Sequence, residues 1–314
     1  MNETLQKIAN TIVVNLANTE PIGLFDGKIG VCFFLYRYAR YSGNGIYENI
    51  ASNLLDEIFG QLKPDLSPSA IDGVAGIGLG LTNLIKEGFL EVDPRESVFH
   101  YVDEALFRDV RSPLMKEINF PIPLFSSGMY LLSRMSWRMD DIDNVWIAGM
   151  IESSRSIIAS GINNKRKLKL SLLNSMLHVL CGFYERLEVN KVGISKLLND
   201  ILNLCIQSID GQNYQDIDII LLKETIKKLP EELKVTGGPV LEKIDCLDCF
   251  VDMDALDVWY DNAWWGILYN VPILKELSFN DIKMYIDKKI QSSFYDISMI
   301  NSKLSSAGLW LMSK

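Results

Sequence analysis

The stretch Gly23-Leu24-Phe25-Asp26-Gly27-Lys28-Ile29-Gly30 returns in part 46 residues later, as Asp72-Gly73-Val74-Ala75-Gly76. Both copies place an aspartate directly before the frame G-x-x-G. Eroded copies of the frame follow at residues 125–128, 174–177, 263–266 and 305–308. Most steps between copies are about 45 residues long and one is about twice that, which is typical of a repeat protein. We predict seven repeats, one of which has lost its glycines near residues 216–222.

Each frame precedes an apolar segment and follows a more charged one. After Gly30 the chain reads Val31-Cys32-Phe33-Phe34-Leu35, which suits a helix buried on most of its faces. Residues 47–62, before the second frame, place apolar residues at helical spacing with acidic residues between them. One repeat is therefore predicted to be a polar-faced outer helix, a loop with Pro, Gly or Ser, and an apolar inner helix.

The last repeat favours a closed arrangement of these hairpins. An open stack needs polar caps at both ends, whereas the final frame here is followed by Leu309-Trp310-Leu311-Met312. The first repeat can cover such an apolar helix. We predict an all-α fold, an α/α toroid (double α-barrel) of seven helical hairpins. It would form a single domain over residues 1–314 with an irregular excursion at 230–258, where Gly237-Gly238-Pro239 interrupts an outer helix.

The frames themselves have backbone explanations. Glycine lacks a Cβ, so at Gly30 and Gly76 the loop and the start of the inner helix can approach adjacent helices closely. Asp26 and Asp72 stand where a carboxylate can cap the incoming helix and meet the positive end of its dipole. We therefore expect both aspartates to act as helix caps.

Composition narrows the classes of partner. The chain has 314 residues, is 48% hydrophobic and carries a net charge of −9, which disfavours nucleic acid or an anionic membrane as a partner. No apolar run reaches the length of a membrane helix, and the first residues lead into an amphipathic helix rather than a signal peptide. Five scattered cysteines are typical of a reducing compartment, so we expect a cytoplasmic protein. The sequence does not predict its oligomeric state.

The frames, together with Leu304-Ser305-Ser306-Ala307-Gly308-Leu309, resemble the lanthionine synthetase C-like family. The likeness covers essentially the whole chain and is closest in the first two repeats and weakest in the fourth and fifth. It implies a toroid of seven outer and seven inner helices and a role in the maturation of ribosomally made peptides. Enzymes of that family use zinc to add a cysteine thiol to a dehydrated serine or threonine, which closes a thioether ring.

The zinc ligands that the resemblance implies are missing here. The family holds zinc with a cysteine in the fifth repeat and an adjacent Cys-His pair before the sixth frame, and thiolate and imidazole are ligands that suit this metal. Asp261 and Asn262 occupy the positions of the pair, and residues 206–245 contain neither Cys nor His. The resemblance therefore implies a zinc-free member that binds a precursor peptide or a peptide-modifying enzyme.

The expected contact surface is the mouth of a central funnel, formed by the residues at and just before the frames. The candidate peptide-binding residues are Asp26, Asp72, Asp261, Asn262, Trp264 and Trp265. Aromatic side chains offer broad apolar area with few rotatable bonds, which suits an extended peptide. For Trp264 the favoured alternative is that the indole fills space that glycine leaves open in other repeats.

Two other functions stay open at this point. An active cyclase would need a relocated zinc site, for which the candidate ligands are His178, Cys181, Cys246 and Cys249. His178 lies in an apolar run that is more typical of a core. A carbohydrate-active toroid could use Asp26 and Asp72, because glycoside hydrolysis needs two carboxyl groups about 5–10 Å apart.

Overall fold

The structure, a computed structural model, describes most of the chain. It covers residues 2–19, 21–25, 27–63, 66–91, 97–110, 122–136, 141–163, 168–187, 191–212, 214, 216–247, 264, 278–292 and 300–312. In these ranges every regular element is a helix and there is no strand, which confirms the all-α class. None of the helices described is both long enough and apolar enough to cross a membrane.

The described ranges contain the following helices. They are α1 (Asn2–Val14), α2 (Lys28–Ser42), α3 (Gly45–Gly60), α4 (Val74–Lys86), α5 (Ser97–Val110), α6 (Ile122–Arg134), α7 (Asp141–Asn163), α8 (Leu170–Arg186), α9 (Lys191–Asp210), α10 (Asp216–Lys227), α11 (Glu231–Asp245), α12 (Phe279–Ser292) and α13 (Ile300–Met312). A short 3₁₀ turn, Leu16–Asn18, follows α1.

Buried and amphipathic helices alternate as the repeats predict. The helices α2, α4, α8, α10 and α13 bury most of their residues, whereas α1, α3, α9 and α11 each keep an exposed face. On burial alone, we refer to the first set as inner helices and to the second set as outer helices. The glycine-free copy expected near residues 216–222 is confirmed as a buried helix, α10.

The chain divides into two compact units. The first unit comprises Met1–Leu106 and Met253–Lys314, and the second comprises Phe107–Asp252. In the first unit α2 is the central helix, with α4, α13 and α3 packed on it. The glycines of its inner neighbours face α2: a Cβ on Gly80 would overlap Ile29, and a Cβ on Gly308 would overlap the ring of Phe34. Helices with glycine at the contact can approach closely.

A single packing pattern recurs in both units. In each unit one inner helix packs extensively on the outer helix that follows it: α2 on α3 in the first unit and α8 on α9 in the second. The last inner helix, α13, has no following outer helix in the described chain, and it packs on α1 instead. The expectation that the first repeat covers the apolar last helix is therefore confirmed.

The loops before α2 and α4 pair through their backbones at equivalent positions. The amide of Leu24 donates to the carbonyl of Ala70 (3.3 Å), and the amide of Phe25 donates to the carbonyl of Ile71 (3.1 Å). Both bonds join residues that are one repeat step apart. Because this pairing satisfies backbone groups that are otherwise costly to bury, it fixes the two loops side by side.

Gly30 and Gly76 are the positions where each helix meets its own loop. A Cβ on Gly30 would overlap the carbonyl oxygen of Leu24, and a Cβ on Gly76 would overlap the equivalent carbonyl of Ala70. The obstruction is backbone in both cases, so a side chain could not be accommodated by a rotamer change. The sequence predicted a close approach to adjacent helices, whereas the closest approach at both glycines is to the loop that precedes the helix.

The predicted capping role of Asp72 is wrong. The N-cap of α4 is Gly73, no side chain caps it, and Asp72 is exposed one residue earlier. Loop carbonyls cap these helices instead: the amide of Val74 donates to Ser67 (2.8 Å), and the amide of Lys28 donates to Pro21 (2.9 Å). Both bonds satisfy first-turn amides that have no partner within the helix. Asp26 lies outside the described residues.

The later frames differ from the first two in register. Gly27 and Gly73 are N-caps, but the frames at 125–128, 174–177 and 305–308 lie inside α6, α8 and α13. The first position of these later frames is Phe125, Asn174 or Ser305. Without a glycine there, the tight loop of the first two copies is sterically closed, and the helix begins earlier.

The predicted interruption at 237–239 is also wrong, because α11 continues through it. Gly237 faces its neighbours closely, since its Cβ would lie 2.8 Å from Leu229 and 3.0 Å from Ile226. Pro239 removes a hydrogen bond to the carbonyl of Val235, a residue that is 84% exposed, so water can solvate that carbonyl. Tertiary packing thus overrides helix propensity. The rest of the excursion, at 248–258, lies outside the described residues.

The second unit repeats the close helix approach and adds a buried ion pair. In the α6–α8 contact, a Cβ on Gly128 would lie 2.7 Å from Val179, and a Cβ on Gly182 would lie 2.6 Å from Leu132. Arg134 and Asp143 join α6 to α7 through an ion pair of 2.5 Å, with 4% and 0% of their side chains exposed. Removal of either partner would leave a buried charge, which is strongly destabilising.

Gly30→Ala and Gly76→Ala are each expected to lower the free energy of unfolding by about 1–3 kcal/mol. The added methyl group overlaps a loop carbonyl that cannot move without breaking the loop pairing. Gly60→Ala is the matched control, because nothing lies within 4 Å of its Cβ position. Urea unfolding of the three variants measures the difference. Equal stability of all three would contradict the role assigned to the first two glycines.

Candidate functional site

The predicted mouth residues fall into two groups. Asp26, Asp261, Asn262 and Trp265 lie outside the described residues. Asp72 and Trp264 are described, and both belong to the first unit.

Asp72 is exposed at the paired loops. It directly precedes the N-cap of α4, and a Cβ on Gly23 would overlap its Cα. Gly23 therefore lets the first loop pass directly against the second one at Asp72. The geometry supports the prediction that equivalent residues of successive loops lie side by side, and it leaves the Asp72 carboxylate accessible to a ligand.

Trp264 is buried and has the role that the alternative interpretation gave it. Its side chain is 1% exposed, and its ring lies 5.6 Å from that of Phe33, centroid to centroid. The indole Cζ2 lies 3.0 Å from the Cβ position of Gly30. Trp264 therefore fills the space that glycine leaves open. Its predicted role as a peptide contact is wrong for this structure, because a ligand cannot reach a fully buried indole.

The described residues do not assemble the substitute zinc site. His178 and Cys181 are three residues apart on α8, and Cys246 is exposed at the end of α11. Within the described ranges, no three His, Cys, Asp or Glu side chains are arranged to hold a metal ion. Cys249 lies outside those ranges.

The surroundings of α8 disfavour the charged forms of His178 and Cys181. Burial lowers the pKa of His178 to about 4, with smaller contributions from Lys228 and Arg186, so the imidazole is neutral at pH 7. Burial raises the pKa of Cys181 to about 12, helped by Glu185. Burial also raises the pKa of Cys32 and of Cys205. The buried thiols are therefore protonated and unreactive at neutral pH.

A partly exposed stripe on α8 is a surface that the frames did not predict. It runs along one side of an otherwise buried inner helix and consists of Ser171, Ser175, His178, Gly182 and Glu185. The hydroxyl of Ser175 donates to the carbonyl of Ser171 (2.9 Å). The spacing i, i+4, i+7, i+11 was the available signal, but the surrounding apolar residues indicated a core. This stripe offers small and polar groups to a ligand of the second unit.

Charge is distributed unequally between the two units. The first unit carries 21 acidic and 13 basic residues, whereas the second carries 19 and 18. Nearly all of the net charge of −9 therefore belongs to the first unit. An excess of carboxylates of this size favours encounter with a basic partner.

Comparisons of the chain with protein-family models, with curated proteins and with solved structures found no match. The candidate site therefore depends on the chain's own geometry. The paired loops of the first unit, with the exposed Asp72, are the surface that agrees best with the predicted mouth.

Acid is expected to destabilise the protein through His178. The folded state holds its pKa near 4, below the ordinary 6.5, so the unfolded chain binds the proton more readily. This loss of stability is absent above about pH 6.5 and grows as the pH falls toward 4. Urea midpoints measured between pH 4.5 and 7.5 should show a weaker pH dependence for His178→Gln than for the parent.

His100→Gln is the matched control, because it makes the same replacement at an exposed histidine. An identical pH dependence for the parent and His178→Gln would contradict the assignment.

Proposed function

We propose that this chain is a closed α/α toroid of the lanthionine synthetase C-like type that binds a peptide without zinc chemistry. The peptide is a precursor in ribosomal peptide maturation, or a segment of an enzyme that modifies one. The proposal depends above all on one observation: the backbone pairing of the loops before α2 and α4 at equivalent repeat positions.

The toroid is supported by the order of the helices and by the packing of the last one. Outer and inner helices alternate through the described chain, and α13 packs on α1 in the way that other inner helices pack on the next outer helix. In a closed ring of repeats the last helix packs on the first one, so neither of them needs a polar cap. The sixth inner helix of this scheme would contain Trp264.

The peptide partner is supported by the exposed loop surface and by charge. Asp72 is exposed at the paired loops before α2 and α4, and the first unit carries the excess of acidic residues. A peptide with Lys or Arg residues would therefore be attracted to this unit in a salt-dependent manner. In the sequence, Asp261 and Asn262 stand where the family has its Cys-His pair, which favours binding over zinc catalysis.

The two alternatives have less support. A relocated zinc site would require a thiolate in a position where burial raises the pKa of Cys181 to about 12. A carbohydrate-active toroid would require Asp72 to act together with Asp26, which lies outside the described residues. Neither alternative is favoured by a specific observation.

Two measurements on the full chain test the proposal. Elemental analysis of protein purified without chelator is expected to find far less than one zinc per chain. Fluorescence anisotropy with a labelled synthetic Lys-rich peptide of about 25 residues is expected to show saturable binding that weakens with salt. An equally long Glu-rich peptide should not bind.

Asp72→Asn is expected to weaken binding of the Lys-rich peptide by about 3–10-fold, because it removes one accessible carboxylate. Glu48→Gln is the matched control, since Glu48 is an exposed carboxylate of the first unit on α3. Stoichiometric zinc would refute the zinc-free function. Equal binding of both peptides, or equal effects of the two substitutions, would refute the peptide site at the loops.

A further inference from the structure

Asn301 is a buried polar side chain at the contact between the first and last hairpins. It lies in the first turn of α13 and is 1% exposed. Its amide nitrogen donates to the carbonyl of Asn15 (2.9 Å) and to the hydroxyl of Thr19 (2.7 Å). The two acceptors lie at the end of α1 and just beyond the 3₁₀ turn that follows it. The carbonyl of Asn15 also accepts from the amide of Asn18 (3.0 Å), so Asn301 adds a second bond to the turn that follows α1.

Two other contacts between the first and last hairpins constrain the register of the helices less strictly. The packing of Gly308 against Phe34 is apolar, and apolar surfaces tolerate small shifts. The ion pair between Lys7 and Asp287 has 47% and 38% of its side chains exposed, so water and salt screen it. The amide of Asn301 is different, because a buried amide without partners is costly. Both acceptors of its nitrogen come from the segment that follows α1.

We propose that Asn301 acts as a clasp that couples the first and last hairpins, so that the two open and close together. If the clasp holds the turn after α1, then loosening that turn releases the start of α13, and loosening α13 releases α1. Such coupling must act equally in both directions, because it is a free energy shared by the two elements. The inference does not depend on the proposed peptide-binding function.

The consequence is a local effect over a long sequence distance. Thr19 and Asn301 are 282 residues apart, yet a change at Thr19 should alter the protection of backbone amides in α13. Thr19→Val removes the hydroxyl acceptor and keeps the shape, whereas Thr19→Ser keeps the hydroxyl. This pair of variants separates the hydrogen bond from the packing of the methyl group.

Hydrogen exchange with mass spectrometry on the full chain tests the clasp. In Thr19→Val, peptides from residues 2–14 and 300–312 should exchange about tenfold faster, and peptides from 170–186 should not change. Asn301→Ala should give the same pattern, and Thr19→Ser should resemble the parent. Three results would each overturn the proposal: unchanged exchange at 300–312 in Thr19→Val, an equal rise at 170–186, or equal effects of Val and Ser.

Discussion

The approach of a loop carbonyl to a glycine in the next helix is the constraint on which the rest of the first unit depends. At Gly30 and Gly76 the helix passes so close to Leu24 or Ala70 that no Cβ fits. This contact fixes the angle at which each inner helix leaves its loop. It also leaves the loop backbone free to pair with the next loop, since the amides of Leu24 and Phe25 bond to Ala70 and Ile71. The angle at which each inner helix begins and the pairing of the two loops therefore both depend on the absence of a Cβ at these glycines.

The absence of a side chain at other glycines sets the spacing between helices. Gly80 and Gly308 allow α4 and α13 to approach α2, and large side chains fill the volume that remains, above all Phe34 and Trp264. Close backbone approach and bulky filling are complementary, because protein interiors are packed at nearly crystalline density. This division of roles explains why an aromatic residue in the sixth frame is part of the core, although its position in the repeat suggested a ligand surface.

The fold was more predictable from sequence than the site, for a physical reason. The period of the frames and the helical spacing of apolar residues depend on local geometry, and they correctly predicted the all-α class, the alternation of helices and the contact between the last helix and the first repeat. The cap at Asp72 and the break at Pro239 depend on which atoms arrive from elsewhere in the chain, and there sequence reasoning was wrong. The buried pair of Arg134 and Asp143 gave no signal, because residues of these types are usually exposed. The role of the paired loops before α2 and α4 in binding a peptide stays a prediction.

The most direct test of this account is to observe the loop pairing itself. In deuterated, isotope-labelled protein, NMR can detect scalar couplings across hydrogen bonds between backbone nitrogen and carbonyl carbon. The account predicts such couplings from the amide of Leu24 to the carbonyl of Ala70 and from the amide of Phe25 to that of Ile71, the pairs whose bond lengths are 3.3 and 3.1 Å. Rapid solvent exchange of both amides, or couplings to carbonyls in another register, would contradict it.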